Sequence, residues 1–147
     1  MISRDDFFVD QPHRVLFDWL APRIKLTWSD DFRGLARVKN GKIIGCVGYE
    51  GFTGTSCRMH MAGEPGWMNR DFIHYAFRYP FDVLGLKMVF GLVPSGNTTA
   101  LKIDLRLGFE ELLYIDGAHP DGGLHLLQLT REKWKRSRYG RQSTRSP

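Results

Sequence analysis

Apolar residues recur along this chain with two different periods. Over residues 13–24 (HRVLFDWLAPRI), Val15, Leu16, Trp19 and Leu20 fall three and four apart, the spacing of one helix face, with Pro22 near the end of the run. Residues 34–38 then alternate toward Lys39-Asn40-Gly41-Lys42, where Asn-Gly is a strong two-residue hairpin signal, and residues 43–49 return as the partner strand. A second turn at 51–55 leads into a third strand at 56–62 (SCRMHMA). Further on, Met88, Val89, Phe90, Leu92 and Val93 form an apolar strand that stops at Pro94, Ser95 and Gly96, because proline has no N–H for the ladder. Asn97 or Ser95 suits a helix N-cap, Ala100, Leu101, Ile103, Leu105 and Leu107 give a helix of about three turns, and Gly108 suits its left-handed exit. Residues 110–134 read as strand, polar hairpin at 116–123, strand and stop. An antiparallel three-strand meander followed by helix, strand, helix and a strand pair predicts a mixed α/β sheet with helices on both faces.

Composition narrows this further. A chain of 147 residues with 42% apolar and 13% aromatic residues fills one domain, expected over residues 1–136. The net charge of +5 is concentrated at the end: REKWKRSRYGRQSTRSP holds seven Lys/Arg and one acid, leaving the rest close to neutral. Residues 137–147 read as a flexible basic tail, either a solvated terminus or an arm for nucleic acid. Cys46 and Cys57 are too few for a disulfide framework and read as reduced thiols. The five histidines lack the close Cys/His spacing of a zinc site, so no metal is expected. The first residues show no signal-peptide pattern and no run is long enough to span a bilayer, so the expected location is cytoplasmic.

The stretch 86–109 (LKMVFGLVPSGNTTALKIDLRLGF) resembles the GNAT family of N-acetyltransferases, whose later half often reads Asn-x-x-Ala, about a turn of helix, a Tyr, then Leu-Gly-Phe. Asn97, Ala100, Leu107, Gly108 and Phe109 fall in register with that pattern. Residues 72–89 resemble the family's long helix and its entry into the next strand, and the likeness, over roughly residues 35–134, is closest to short, phage-type members. It implies a mostly antiparallel central sheet with two splayed strands, here 56–62 and 87–93, and acetyl-CoA as acyl donor with its pantetheine arm in the gap. The backbones of Met59 and Met61 would pair with the arm as an added strand does. Asn97 would contact the cofactor. The pyrophosphate would lie at the start of the long helix, where the family has a Gly-x-Gly loop and this chain has Gly63-Glu64-Pro65-Gly66-Trp67-Met68-Asn69-Arg70. Gly66 would allow close approach there, beside Trp67, with Asn69 capping the helix and Arg70 bringing charge.

The family's Tyr that protonates the departing thiolate corresponds to Asp104, expected as an ionised, solvated residue that cannot donate a proton. Tyr49, Tyr75 and Tyr114 remain as possible acids. For the base that deprotonates the acceptor amine, Glu50 and His60 are the candidates; either is equally readable as an ordinary strand residue. The chemistry implied is direct transfer through a tetrahedral intermediate held by a main-chain N–H, with no nucleophilic cysteine. The acceptor is a small-molecule or peptide amine. The alternative is a catalytically silent protein of the same fold that binds a protein or nucleic-acid partner. Phe77, Tyr79 and Phe81 would serve a homodimer or complete the core.

Overall fold

The computed structural model of the chain describes residues 5–140. Seven strands form one sheet: β1 (Asp6–Val9), β2 (Arg33–Lys39), β3 (Lys42–Glu50), β4 (Ser56–Gly63), β5 (Met88–Pro94), β6 (Glu110–His119) and β7 (Gly122–Thr130), in the order β1-β2-β3-β4-β5-β7-β6. Every neighbouring pair is antiparallel except β4 and β5. The helices are α1 (His13–Ile24), α2 (Arg70–Arg78), α3 (Thr98–Leu107) and α4 (Arg131–Arg136). Among the described residues no helix is long and apolar enough to cross a membrane.

The helices cover both faces. On one, Leu16, Phe17 and Leu20 of α1 pack with Phe32, Ala36 and Cys46. On the other, Phe72, Ile73 and Phe77 of α2, Leu107 of α3 and Trp134 of α4 bury Val47, Tyr49, Met59, Val89, Leu127 and Leu129. Strand residues alternate between these faces, as the two-residue strand period requires. Trp67 lies flat over the cross-strand pair Gly45 and Gly63; a Cβ on Gly63 would stand 2.1 Å from its Cγ, so only glycine fits there.

Four features differ from the sequence expectation. The meander has a fourth strand, β1, whose four residues are too few to show a period. The helix starting at Arg70 ends at Arg78 and continues as a single π-helical turn, Tyr79–Val83, because Pro80 cannot supply the N–H of a regular turn. Strand β6 runs to His119, into the expected hairpin, with an irregularity between Ile115 and His119. Residues 131–136 form α4, capped by Thr130, whose Oγ1 accepts from Lys133 N–H.

Phe77 and Phe81 are wholly buried and Tyr79 is partly so, which makes these aromatics part of the core and not a surface for a second copy. Residues 137–140, expected as the start of a flexible tail, form a hydrogen-bonded turn on which His74 Nδ1–H donates to the Tyr139 carbonyl at 2.9 Å. The rest of that tail, 141–147, lies outside the described residues.

Arg37 ties three segments together. Its Nε and Nη2 grip both carboxylate oxygens of Asp6 at 2.9 and 2.7 Å, and its Nη1 donates to the carbonyls of Gly66 and Trp67. Its side chain is 7% exposed. Replacing it strands a carboxylate and two carbonyls, so Arg37→Met is expected to lower the unfolding free energy by about 3 kcal/mol in urea titration.

Candidate active site between two splayed strands

Strands β4 and β5 are held together by three parallel pairs, Ser56–Met88, Cys57–Val89 and Arg58–Phe90, and then diverge. Meanwhile β4 stays paired with β3 as far as Gly63, and β5 with β7 as far as Pro94. The direction of the free groups follows from the two-residue alternation. The Thr55 carbonyl accepts from Met88 N–H at 3.3 Å, so the main-chain groups of Cys57, Met59 and Met61 point toward β5, while Glu64 N–H bonds Ile44 on β3. On the facing strand Leu92 and Pro94 point back, and Pro94 has no N–H to extend the ladder. Past Arg58–Phe90, the edges at Met61 and Leu92 therefore face a gap instead of each other.

That gap opens into a cleft of about 650 Å³, to which Met59, His60 and Met61 of β4, Gly91 and Leu92 of β5, Asn97 and Asp104 contribute, with Arg23 and Lys25 from the end of α1. It therefore has walls from both faces of the sheet. Asn97 stands at the N-terminus of α3, where its Oδ1 accepts from Ala100 N–H at 3.1 Å.

Glu50 and His60, separate candidates in the sequence, form one unit. His60 Nε2 is 3.4 Å from Glu50 Oε1, and Arg58 Nε donates to the same oxygen at 2.8 Å. All three project from the α1 face of the sheet, since the register sets Glu50 opposite Arg58 with His60 two residues further along β4. The hydrogen bond with His60, then Arg58, lowers the Glu50 carboxyl to about 2 despite its burial. A carboxylate that weakly basic does not take up protons near neutrality; it orients the imidazole. His60 also borders the cleft.

The expected pyrophosphate segment lies elsewhere: Gly66, Trp67, Asn69 and Arg70 do not line the cleft but form the turn into α2. Gly66 has φ 85° and open space where a Cβ would stand. The Trp67 N–H donates to Glu64, its carbonyl accepts from Arg37, and its indole is buried. Asn69 Oδ1 caps α2 through Phe72 N–H, and Arg70 Nη2 donates to the Arg138 carbonyl.

Asp104 corrects the expectation of a solvated, ionised residue. It is 8% exposed, borders the cleft, and lies against Gly91 of β5. Burial raises its carboxyl to about 7, so that near neutrality a large fraction is protonated. Helical spacing carried that information: Asp104 is four residues after Ala100 and three before Leu107, on the inward stripe. The tyrosines offered as acids are placed otherwise. Tyr49 is wholly buried and donates to the Ala76 carbonyl, Tyr75 packs on Phe8, and Tyr114 lies on the exposed strand β6. Burial pushes both cysteine thiols up to about 12, so neither is a ready nucleophile.

No family model and no curated protein sequence matches the chain. Solved structures do share its fold. A mutant of the spermidine N-acetyltransferase SpeG from Vibrio cholerae superimposes with a TM-score of 0.72 at 14% identity, over 90% of this chain and 97% of that one. The spermidine/spermine N-acetyltransferase SpeG from the same organism, in complex with manganese ions, gives 0.72 at 14% identity over 88% and 95%. A dodecameric structure of the spermidine N-acetyltransferase, in an intermediate state, gives 0.71 at 13% identity over 90% and 97%. The expected fold class, a mixed and mostly antiparallel α/β sheet with splayed strands and helices on both faces, is the observed one.

The Glu50 cluster has a consequence for acid stability. Its folded-state value lies below the ordinary 4.5 of a glutamate carboxyl, so the ionised group stabilises the fold above pH 4.5, and this contribution is lost as pH falls toward 2. Urea titrations at pH 6 and pH 2.5 are expected to show a smaller acid loss in Glu50→Gln than in the wild type.

Proposed function

We propose that this protein is an acetyl-CoA-dependent N-acetyltransferase that moves the acetyl group directly to a primary amine. The observation that carries this reading is the pair of main-chain edges that face each other across the cleft beyond the last β4–β5 pair, at Met61 on one side and Leu92 on the other. An extended chain of amides such as the pantetheine arm has donors and acceptors to match such an edge. When bound, the cofactor supplies an acetyl group activated as a thioester.

The chain's own residues divide the remaining work. Met59 and Met61 hold the arm through main-chain groups, and Asn97 contacts it from the start of α3. The open side of Gly66, the N-terminus of α2 behind Asn69, and Arg70 take the pyrophosphate, with Trp67 shaping the turn from beneath. On the α1 side, Glu50 holds His60 by Nε2, leaving Nδ1 to accept the proton that the amine loses on attack. The fold shared with spermidine N-acetyltransferases supports the reaction class and makes spermidine the first acceptor to screen. Two free, buried cysteines suit a reducing compartment such as the cytoplasm.

Calorimetric titration with acetyl-CoA tests the reading. Met61→Pro removes one N–H that faces the gap and leaves the β3 side of the ladder intact, so about tenfold weaker binding is expected, with Met61→Leu near the wild type. Wild-type protein that fails to bind at millimolar cofactor would overturn the proposal.

A further inference from the structure

We propose that Asp104 is the acid of this site: its carboxyl, held protonated, gives its proton to the sulfur that departs as the acyl–sulfur bond breaks. This rests on the acetyltransferase reading above. Placement comes first. Helix α3 turns Asp104 inward so that Oδ2 lies 3.2 Å from where a Cβ on Gly91 would stand, and Gly91 is one residue past the last β4–β5 pair. The missing side chain at 91 makes the room that the carboxyl occupies at the head of the gap.

Isolation comes second. Among the described residues no hydrogen bond or ion pair reaches the Asp104 oxygens, although the residue is 8% exposed. The charged or titratable groups bordering the same cleft are Arg23 and Lys25 at the end of α1, His60 on β4, and His119 and Asp121 at the β6–β7 turn. On α3 itself Lys102 and Arg106 point outward and are exposed. None is within ion-pair distance, so nothing compensates a buried negative charge there and the neutral acid is favoured.

The proton balance closes without another reagent. The amine nitrogen bonds to the acyl carbon and loses its proton to His60. The electron pair of the broken carbon–sulfur bond goes to sulfur, which takes the Asp104 proton, and both side chains return to their starting states by exchange with solvent. An ordinary thiol has a pKa of about 8.5, so transfer from an acid near neutrality to the departing thiolate runs downhill. An ionised surface aspartate would be unable to do this. The same shift that raises Asp104 makes the acid available below about pH 7 and removes it above.

Carbon-13 NMR of the full chain labelled at Asp carboxyls gives a readout that needs no turnover. One resonance, absent from Asp104→Asn, is expected to titrate near pH 7; a midpoint in the ordinary carboxylate range overturns the proposal. If Asp104→Asn does not fold, Gly91→Ala identifies the resonance by displacing the carboxyl. Thiol release from acetyl-CoA with spermidine is expected to fall about 100-fold in kcat for Asp104→Asn, with loss of the alkaline limb, unchanged calorimetric affinity for acetyl-CoA, and partial recovery in Asp104→Glu. An unchanged kcat and alkaline limb also overturn it. Wild-type protein that does not bind acetyl-CoA overturns the acetyltransferase reading and this one with it, whereas normal binding with an ordinary Asp104 titration overturns this one alone.

Discussion

The sheet is committed to two different neighbours at once, and the site follows from that conflict. Strand β4 is bonded along its length to β3, and β5 along its length to β7, while only three parallel pairs join β4 to β5. Two halves of a twisted sheet joined over so short a seam diverge beyond it. Buried main-chain groups normally find partners, because leaving one without a partner costs about 1–3 kcal/mol. The diverging edges here retain theirs by facing a cleft open to water, and a ligand with an amide backbone can replace that water.

Around this gap, environment separates two carboxyl groups that have similar intrinsic acidity. Glu50 accepts from His60 and Arg58 and is lowered to about 2; Asp104 is buried against Gly91 with no charged partner and is raised to about 7. One is an anion that positions the imidazole of His60 at the gap and the other is a neutral acid that borders the gap itself, and they stand on opposite faces of the sheet. Carboxyl groups whose surroundings push their pKa values apart around one site are the usual arrangement for chemistry that must remove a proton at one atom and supply one at another.

Much of the fold was legible because local chemistry and global architecture agree. The Asn40-Gly41 turn, the Asn97 cap and the left-handed Gly108 each have a physical role that only a few residue types can fill, and each stands where expected. Strand β1 was not legible, since four residues are too few to show a period, and its place at the edge comes from pairing with β2 and from Arg37, a residue thirty-one positions beyond Asp6. The π-helical turn was hidden similarly: Pro80 announces an irregularity without saying whether the helix stops or widens. In the site, Met59, Met61 and Asn97 came from the resemblance to the acetyltransferases and His60 from the ordinary chemistry of imidazole, and all four line one cleft. The partnership of Glu50 with His60 and Arg58 was not visible, because it runs across a strand pair whose register only the fold supplies.

By itself, the sequence determined the alternation of apolar residues, the turn and cap positions, and hence the order of strands and helices, because these depend on steric and hydrogen-bonding preferences within a few residues. It also placed Asp104 on a helix between inward-facing leucines. Tertiary structure alone decided what that position means. The charge state of a carboxyl depends on the atoms around it, and those of Asp104 come from a strand thirteen residues earlier and from the width of the gap beside it. Solvation, pKa and reach are properties of surroundings, so they exist only once the chain has assembled them.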